Sequence, residues 1–101
     1  MSSKSRRKKD VERALRKKGF KQRENDHAYF NYYSKEGIKS RVFTKTSHGT
    51  KVKDIQGDPL RWMAAQCKLT VDQFLMLVDC PLTRDDYEAL LIQNHHITPH
   101  H

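Results

Sequence analysis

The sequence predicts an α+β domain: an N-terminal helix, a three-stranded antiparallel sheet, then C-terminal helices packed on one sheet face. Three observations predict it. Val11, Ala14, Leu15 and Lys18 recur at helical spacing ahead of Gly19-Phe20, the spacing that puts side chains on one stripe of a helix. Three short runs with β-branched or aromatic content follow, separated by turn-forming residues. Beyond Gly57 the pattern returns to helical spacing, with a start signal ahead of each segment. A sheet covered on one side only leaves its other side open.

The elements are expected as follows. Met1 to Lys4 reads as a flexible basic arm. A helix is expected from about Arg6 to Lys18, with Ser5 as N-cap, Gly19 at the C′ position and Phe20 folding back on the last turn. The strands are expected at Phe20 to Glu24, His27 to Tyr33 and Ile38 to Lys45, joined by Asn25-Asp26 and by Ser34 to Gly37. Thr46 to Gly57 reads as loop, with a short extra strand at Lys51 to Ile55. Asp58 is the expected N-cap of the next helix, with Pro59 at its first position. Thr70 with Gln73 forms a capping-box signature for another, ended by Pro81. Thr83 caps a last one, Arg84 to about Gln93, with Tyr87, Leu90 and Leu91 facing inward. Residues 94–101 read as a frayed tail containing histidines.

Charge is unevenly spread. Met1 to Arg23 contain eleven Lys or Arg against only Asp10 and Glu12, whereas acidic residues outnumber basic ones after Gly57. The whole chain of 101 residues carries +8. A cationic surface of this kind attracts phosphates by Coulomb forces and counterion release. No run approaches the roughly 18 apolar residues of a membrane span, and no apolar segment follows the basic start as a secretory signal requires. A cytoplasmic protein is therefore expected, in which Cys67 and Cys80 are buried reduced thiols.

Alternation in the second strand puts Ala28, Phe30 and Tyr32 on one face and His27, Tyr29, Asn31 and Tyr33 on the other. The first set suits the core, so the second is expected on the open face. His27 is the sharpest candidate for chemistry. An imidazole titrates near neutrality and can exchange the proton of a ribose 2′-hydroxyl during strand cleavage. A hydrogen-bonding surface histidine is the plainer reading. Tyr29 and Tyr33 can stack on unpaired bases or simply pack along the strand. Arg7, Arg13, Arg16 and Lys17 fall on the outer side of the first helix and are candidate phosphate contacts. Lys45, His48, Lys51 and Lys53 extend that set, His48 from Thr46-Ser47-His48-Gly49, a segment that makes either a phosphate-binding loop or an ordinary turn. His95, His96, His100 and His101 lack acidic or thiol co-ligands at fixed spacing, so no metal and no cofactor is expected. Asp85 and Asp86 start a helix, where they complement its dipole.

The run from Asp10 to Phe20, DVERALRKKGF, resembles the opening helix and Gly-Phe of HicA-type toxins, small mRNA-cleaving proteins of toxin–antitoxin systems. His27 then matches the family's strand histidine, Ser47 to Lys53 its polar His-containing segment, and Asp58-Pro59-Leu60-Arg61 the start of its closing helix. The resemblance covers roughly Lys9 to Val78. It implies a double-stranded-RNA-binding-like fold, metal-independent endoribonuclease activity with His27 as general acid or base, and a HicB-type antitoxin as partner. The sequence departs from the family in carrying Asn25-Asp26 where Gly-Ser usually precedes the histidine, and in extending past Pro81. Two other functions are compatible with the residues: a non-catalytic RNA-binding module, and a protein-interaction adaptor acting through the C-terminal helices. Duplex DNA binding is disfavoured, since no helix-turn-helix or zinc module is evident.

Overall fold

The structure is a computed structural model that describes residues 4–26, 28–46 and 53–98. Within them the elements run β1 (Arg6–Arg7), α1 (Lys8–Lys17), β2 (Phe20–Gln22), β3 (Tyr29–Tyr33), β4 (Lys39–Lys45), β5 (Asp54–Ile55), α2 (Gly57–Gln66), α3 (Val71–Asp79) and α4 (Arg84–Gln93). The chain is an α+β protein. Antiparallel β2, β3 and β4 form the main sheet in that order, and β1 pairs antiparallel with β5 in a separate two-stranded ribbon. No helix among the described residues is long and apolar enough to cross a membrane.

The ribbon corrects the expected start. Arg6 and Arg7 are extended, opposite Ile55 and Asp54. The helix begins at Lys8, whose N–H donates to the Lys53 carbonyl at 2.7 Å. That backbone partner satisfies a helix-start donor that Ser5 was expected to satisfy, and Arg7 at the N-cap makes no side-chain cap. Likewise α2 starts at Gly57, ahead of the expected Asp58 cap, and Asp58 instead pairs with Arg61 one turn on.

Other signals behave as their chemistry requires. Thr70 and Gln73 exchange both bonds of a capping box. The Thr83 hydroxyl accepts the Asp86 N–H at 3.1 Å. Gly19 takes φ +103°, and Phe20 folds into the core behind it. After α4 the chain turns back: His95 and His96 donate their N–H groups to Ile92 and Leu91, and Ile97 packs on the core. This is a Schellman closure.

The core lies between one face of the main sheet and the helices. It contains Val11 and Leu15 of α1, Phe20, Phe30, Tyr32 and Val42 of the sheet, and Met63, Phe74, Leu77, Tyr87 and Leu91 of α2, α3 and α4. Ala28, Phe30 and Tyr32 are buried together, as the alternation predicts. Lys18 lays its stem on this core and donates Nζ to the Leu82 carbonyl at 2.6 Å. Cys67 is fully buried, and burial pushes its thiol up to about 12. Cys80 is exposed, which corrects the expectation of two buried thiols: it ends α3 in a left-handed conformation, with its side chain turned outward.

α4 is part of the fold's centre. Phe20, Tyr32 and Tyr87 form an aromatic trio with ring centroids 5.2 to 5.9 Å apart. The Tyr32 hydroxyl donates to Glu88 Oε1 at 2.7 Å, and the Lys35 N–H donates to the same oxygen at 2.9 Å. Burial, then the Glu88 carboxylate, raise the Tyr32 phenol far above its ordinary value. Arg84 donates Nη2 to the carbonyls of Tyr33 and Ser34, both at 3.1 Å. The sheet is thus held from behind at the end of β3. At the other end of the chain Arg6 forks onto Asp79, Nε to Oδ1 at 2.8 Å and Nη2 to Oδ2 at 2.6 Å.

Candidate nucleic-acid interface

The side of the main sheet turned away from the helices carries an unusual set of residues. β2 supplies Lys21, followed by Arg23 just past its end. β3 supplies Tyr29, Asn31 and Tyr33. β4 supplies Lys39, Phe43 and Lys45. Register brings them into rows: Lys21 lies opposite Asn31, which lies opposite Phe43, while Tyr29 faces Lys45 and Tyr33 faces Lys39. None of the three strands contains an aspartate or glutamate. Among the described residues, none of Lys21, Arg23, Lys39 and Lys45 joins an ion pair.

Three of these four cations rest on the rings instead. Lys21 Nζ lies 4.4 Å from the Tyr33 ring centre, and the Arg23 guanidinium 4.4 Å from Tyr29 and 6.0 Å from Phe43. Lys45 Nζ lies 5.1 Å from Tyr29. Tyr29 and Phe43 lean together at 6.2 Å. Attraction between a cation and the negative face of a ring is worth roughly 0.5–1 kcal/mol at an exposed site. That is enough to bias a long side chain and too little to lock it. Arg23 is further oriented by its Nε bond to Asn31 Oδ1 at 2.8 Å. Asn31, nearly fully buried beneath these side chains, works as a positioning residue.

Local sequence explains the shape of the face. The turn before β3 is closed by the Tyr29 N–H on the Asp26 carbonyl at 3.1 Å and by the Ala28 N–H on Asp26 Oδ1 at 3.1 Å. An Asx-type bond of this kind is what Asn25-Asp26 predicts. Between Asn31 and Tyr33 the ladder to β4 breaks register: Tyr32 faces the three residues Ser40 to Val42. The Ser40 hydroxyl fills the gap, donating to the Tyr32 carbonyl at 2.7 Å and accepting the Val42 N–H at 3.1 Å. The bulge leaves Arg41 exposed at the edge. A shallow depression lined by Lys21, Arg23, Glu24, Asn31, Tyr33 and Lys39 runs across the sheet, with Glu24 as the one carboxylate among its described lining residues.

The residues picked out from sequence fall into separate groups. Tyr29, Tyr33 and Lys45 lie together on this face. Arg13, Arg16 and Lys17 are exposed on α1, where Arg13 stands near Asp10 and Arg16 donates to Gln22 Oε1 at 3.3 Å. Arg7 and Lys53 belong to the ribbon region, where Arg7 lies across from Asp54. His27, His48 and Lys51 lie outside the described residues. Sequence reasoning missed Lys21, Arg23, Lys39 and Phe43. The signal existed in part: Lys21 and Arg23 alternate with buried Phe20. What placed them beside tyrosines was cross-strand register.

No group of three or more His, Cys, Asp or Glu among the described residues is arranged to hold a metal ion. The open face offers phosphates unpaired positive charge and offers bases the faces of three rings. The chain matches no protein-family model, no curated protein and no solved structure.

Proposed function

We propose that this protein binds RNA on the open face of the β2–β3–β4 sheet, and that it is an mRNA endoribonuclease of the HicA kind in which His27 supplies acid–base catalysis. One observation carries the binding half: a sheet face on which Lys21, Arg23 and Lys45 sit over three aromatic rings with Lys39 beside them, and with no carboxylate in its strands. Phosphates recruit the cations, and bases take the ring faces that the cations vacate. The arginines and lysine on the outer side of α1 add long-range attraction.

The cleavage half rests on the sequence resemblance. His27 is two residues ahead of Tyr29 in the chain, so a strand held on Tyr29 has an imidazole close to it in sequence. The order α1, three antiparallel strands, then helices supports a double-stranded-RNA-binding-like relation, while the β1–β5 ribbon stands outside that pattern. By the same resemblance a HicB-type antitoxin in the cytoplasm would cover the RNA face.

Binding is tested by titrating labelled RNA in about 50 and 200 mM salt. Four phosphate contacts to a single strand give a salt slope of about 2.8, hence roughly 50-fold weaker binding at the higher salt. Arg23→Ala should lower that slope by about 0.7. Salt-insensitive binding, or binding indifferent to Arg23→Ala and Lys45→Ala, would overturn the reading. Cleavage is tested separately: His27→Ala should bind RNA as the wild type does and fail to cut it. Undiminished cutting by that variant removes the catalytic half.

A further inference from the structure

The chain's single tryptophan is not in the core. Trp62 lies on α2 with 64% of its surface exposed. It borders a groove lined also by Lys45, Thr46, Ile55, Pro59, Met63 and Gln66. Among the described residues Lys45 is the only charged one of that lining, and it belongs to two surfaces at once: it lines this groove, and its Nζ lies over the Tyr29 ring on the open face. It therefore stands on the crest where β4 ends the sheet. On one side of the crest are Tyr29 and Phe43, on the other Trp62.

Resting on the RNA-binding reading above, we propose that the ligand is a single RNA strand, and that it leaves the sheet face over Lys45 to stack a base on Trp62. The ring faces point to this class of ligand. In a duplex the base faces are hidden in the stack, so Tyr29, Tyr33, Phe43 and Trp62 would have nothing to meet; unpaired bases can splay onto aromatic rings and guanidinium planes. Tyr33 and Tyr29 are four residues apart on β3, about 13 Å at strand spacing, and Lys45, directly opposite Tyr29, continues the line toward Trp62. Charge agrees, with Arg23 and Lys45 along the route and no acidic residue among the described residues that line the groove.

An extended peptide is disfavoured as the groove's occupant. Strand addition needs free edge groups on β4, and here Gln66 occupies the edge. Its Oε1 accepts both the Thr44 hydroxyl at 2.9 Å and the Lys45 N–H at 3.1 Å.

Because Trp62 is the sole tryptophan, its own fluorescence reports the event. The full chain is titrated with labelled single-stranded RNA of about 12 nucleotides, a shorter strand of about 4, and blunt duplex RNA, all within or near the site sizes such proteins occupy; DNA of the longer sequence completes the set. The longer RNA should quench Trp62 emission. Trp62→Ala should weaken its binding about 5- to 150-fold, the loss of one stacked base, and Trp62→Phe should recover most of it. The shorter strand should bind both variants as it binds the wild type. Since Trp62 is mostly exposed, Trp62→Ala should melt like the wild type.

If Arg23→Ala weakens binding while Trp62→Ala does not, and emission is unchanged, the path beyond Lys45 is wrong and the sheet reading stands. If neither substitution matters, both readings fail together. Duplex bound as tightly as single strand overturns the single-strand assignment, and DNA bound as well as RNA overturns the assignment to RNA.

Discussion

Replacing Gly19 by alanine should be among the most damaging single-methyl changes available to this protein, and Gly37 provides the control. Both glycines have positive φ, +103° and +82°. An L-residue there costs roughly 1–2 kcal/mol, partly offset by about 0.4–1 kcal/mol because alanine narrows the unfolded ensemble. For Gly37 that is the whole account, since a Cβ meets nothing within 4 Å. At Gly19 the new Cβ would stand 2.7 Å from Arg84 Nε and 2.9 Å from Tyr32 Cε1. Neither atom can retreat cheaply. Arg84 is fastened to the Tyr33 and Ser34 carbonyls, and Tyr32 is fully buried with its hydroxyl on Glu88. Forced repacking of this kind costs roughly 1–3 kcal/mol more. Gly37→Ala should therefore lose about 1 kcal/mol and Gly19→Ala about 2–4 kcal/mol. At about 4–8 °C per kcal/mol for a domain near this size, the second variant should melt roughly 8 to 32 °C below the wild type. Thermal and urea unfolding followed by circular dichroism measure both. If Gly19→Ala proves no worse than Gly37→Ala, the close approach of α4 to the α1–β2 corner is refuted.

Two further outcomes are expected. Asp79 is held below its ordinary carboxyl value, chiefly by the hydrogen bonds from Arg6; a group depressed in the folded state contributes stability above its unfolded value and loses it as pH falls through the folded one. Asp79→Asn should thus cost at most about 1 kcal/mol at neutral pH, the pair being partly exposed, and the gap to wild type should close below about pH 4 in acid-unfolding curves. The two thiols should separate cleanly in a thiol-disulfide exchange assay at mildly alkaline pH: Cys80 should react in the native protein, while Cys67, buried with its thiol pushed up to about 12, should react only with unfolding. Equal native rates for both would contradict the placement of Cys67.

The sequence was most legible where a few adjacent residues settle the matter. Thr70 with Gln73 and Thr83 fix helix starts through bonds spanning three residues, and α4 ends at Gln93 as its apolar spacing implies. The two faces of β3 follow from its alternation alone. Legibility failed where pairing is non-local. Arg6-Arg7 has no strand pattern, and it is extended because Asp54-Ile55, far along the chain, lies beside it. The same cause hid half of the candidate interface. Nothing near Arg23 in sequence announces Phe43, and the two meet through Tyr29 across the sheet. Nothing beside Trp62 in the sequence announces that it stands exposed on α2 next to the end of β4. The C-terminal segment looked like an extension because the resemblance ends near Val78, yet it supplies Tyr87, Glu88 and Leu91 to the centre of the fold.

The bonds that join the two ends of the chain, Arg6 to Asp79, Lys18 to Leu82 and Tyr32 to Glu88, bear on how the protein is made. A nascent chain leaves the ribosome N-terminus first. Its basic, ring-bearing strands are therefore synthesised well before the helices that cover Phe30, Tyr32 and Val42. During that interval the strand segments lack both their apolar cover and the Arg84 fastening behind Tyr33. If the sheet face is the RNA-binding surface, it becomes fully organised only after α4 has emerged, so synthesis itself delays the appearance of the activity until the last helix is in place.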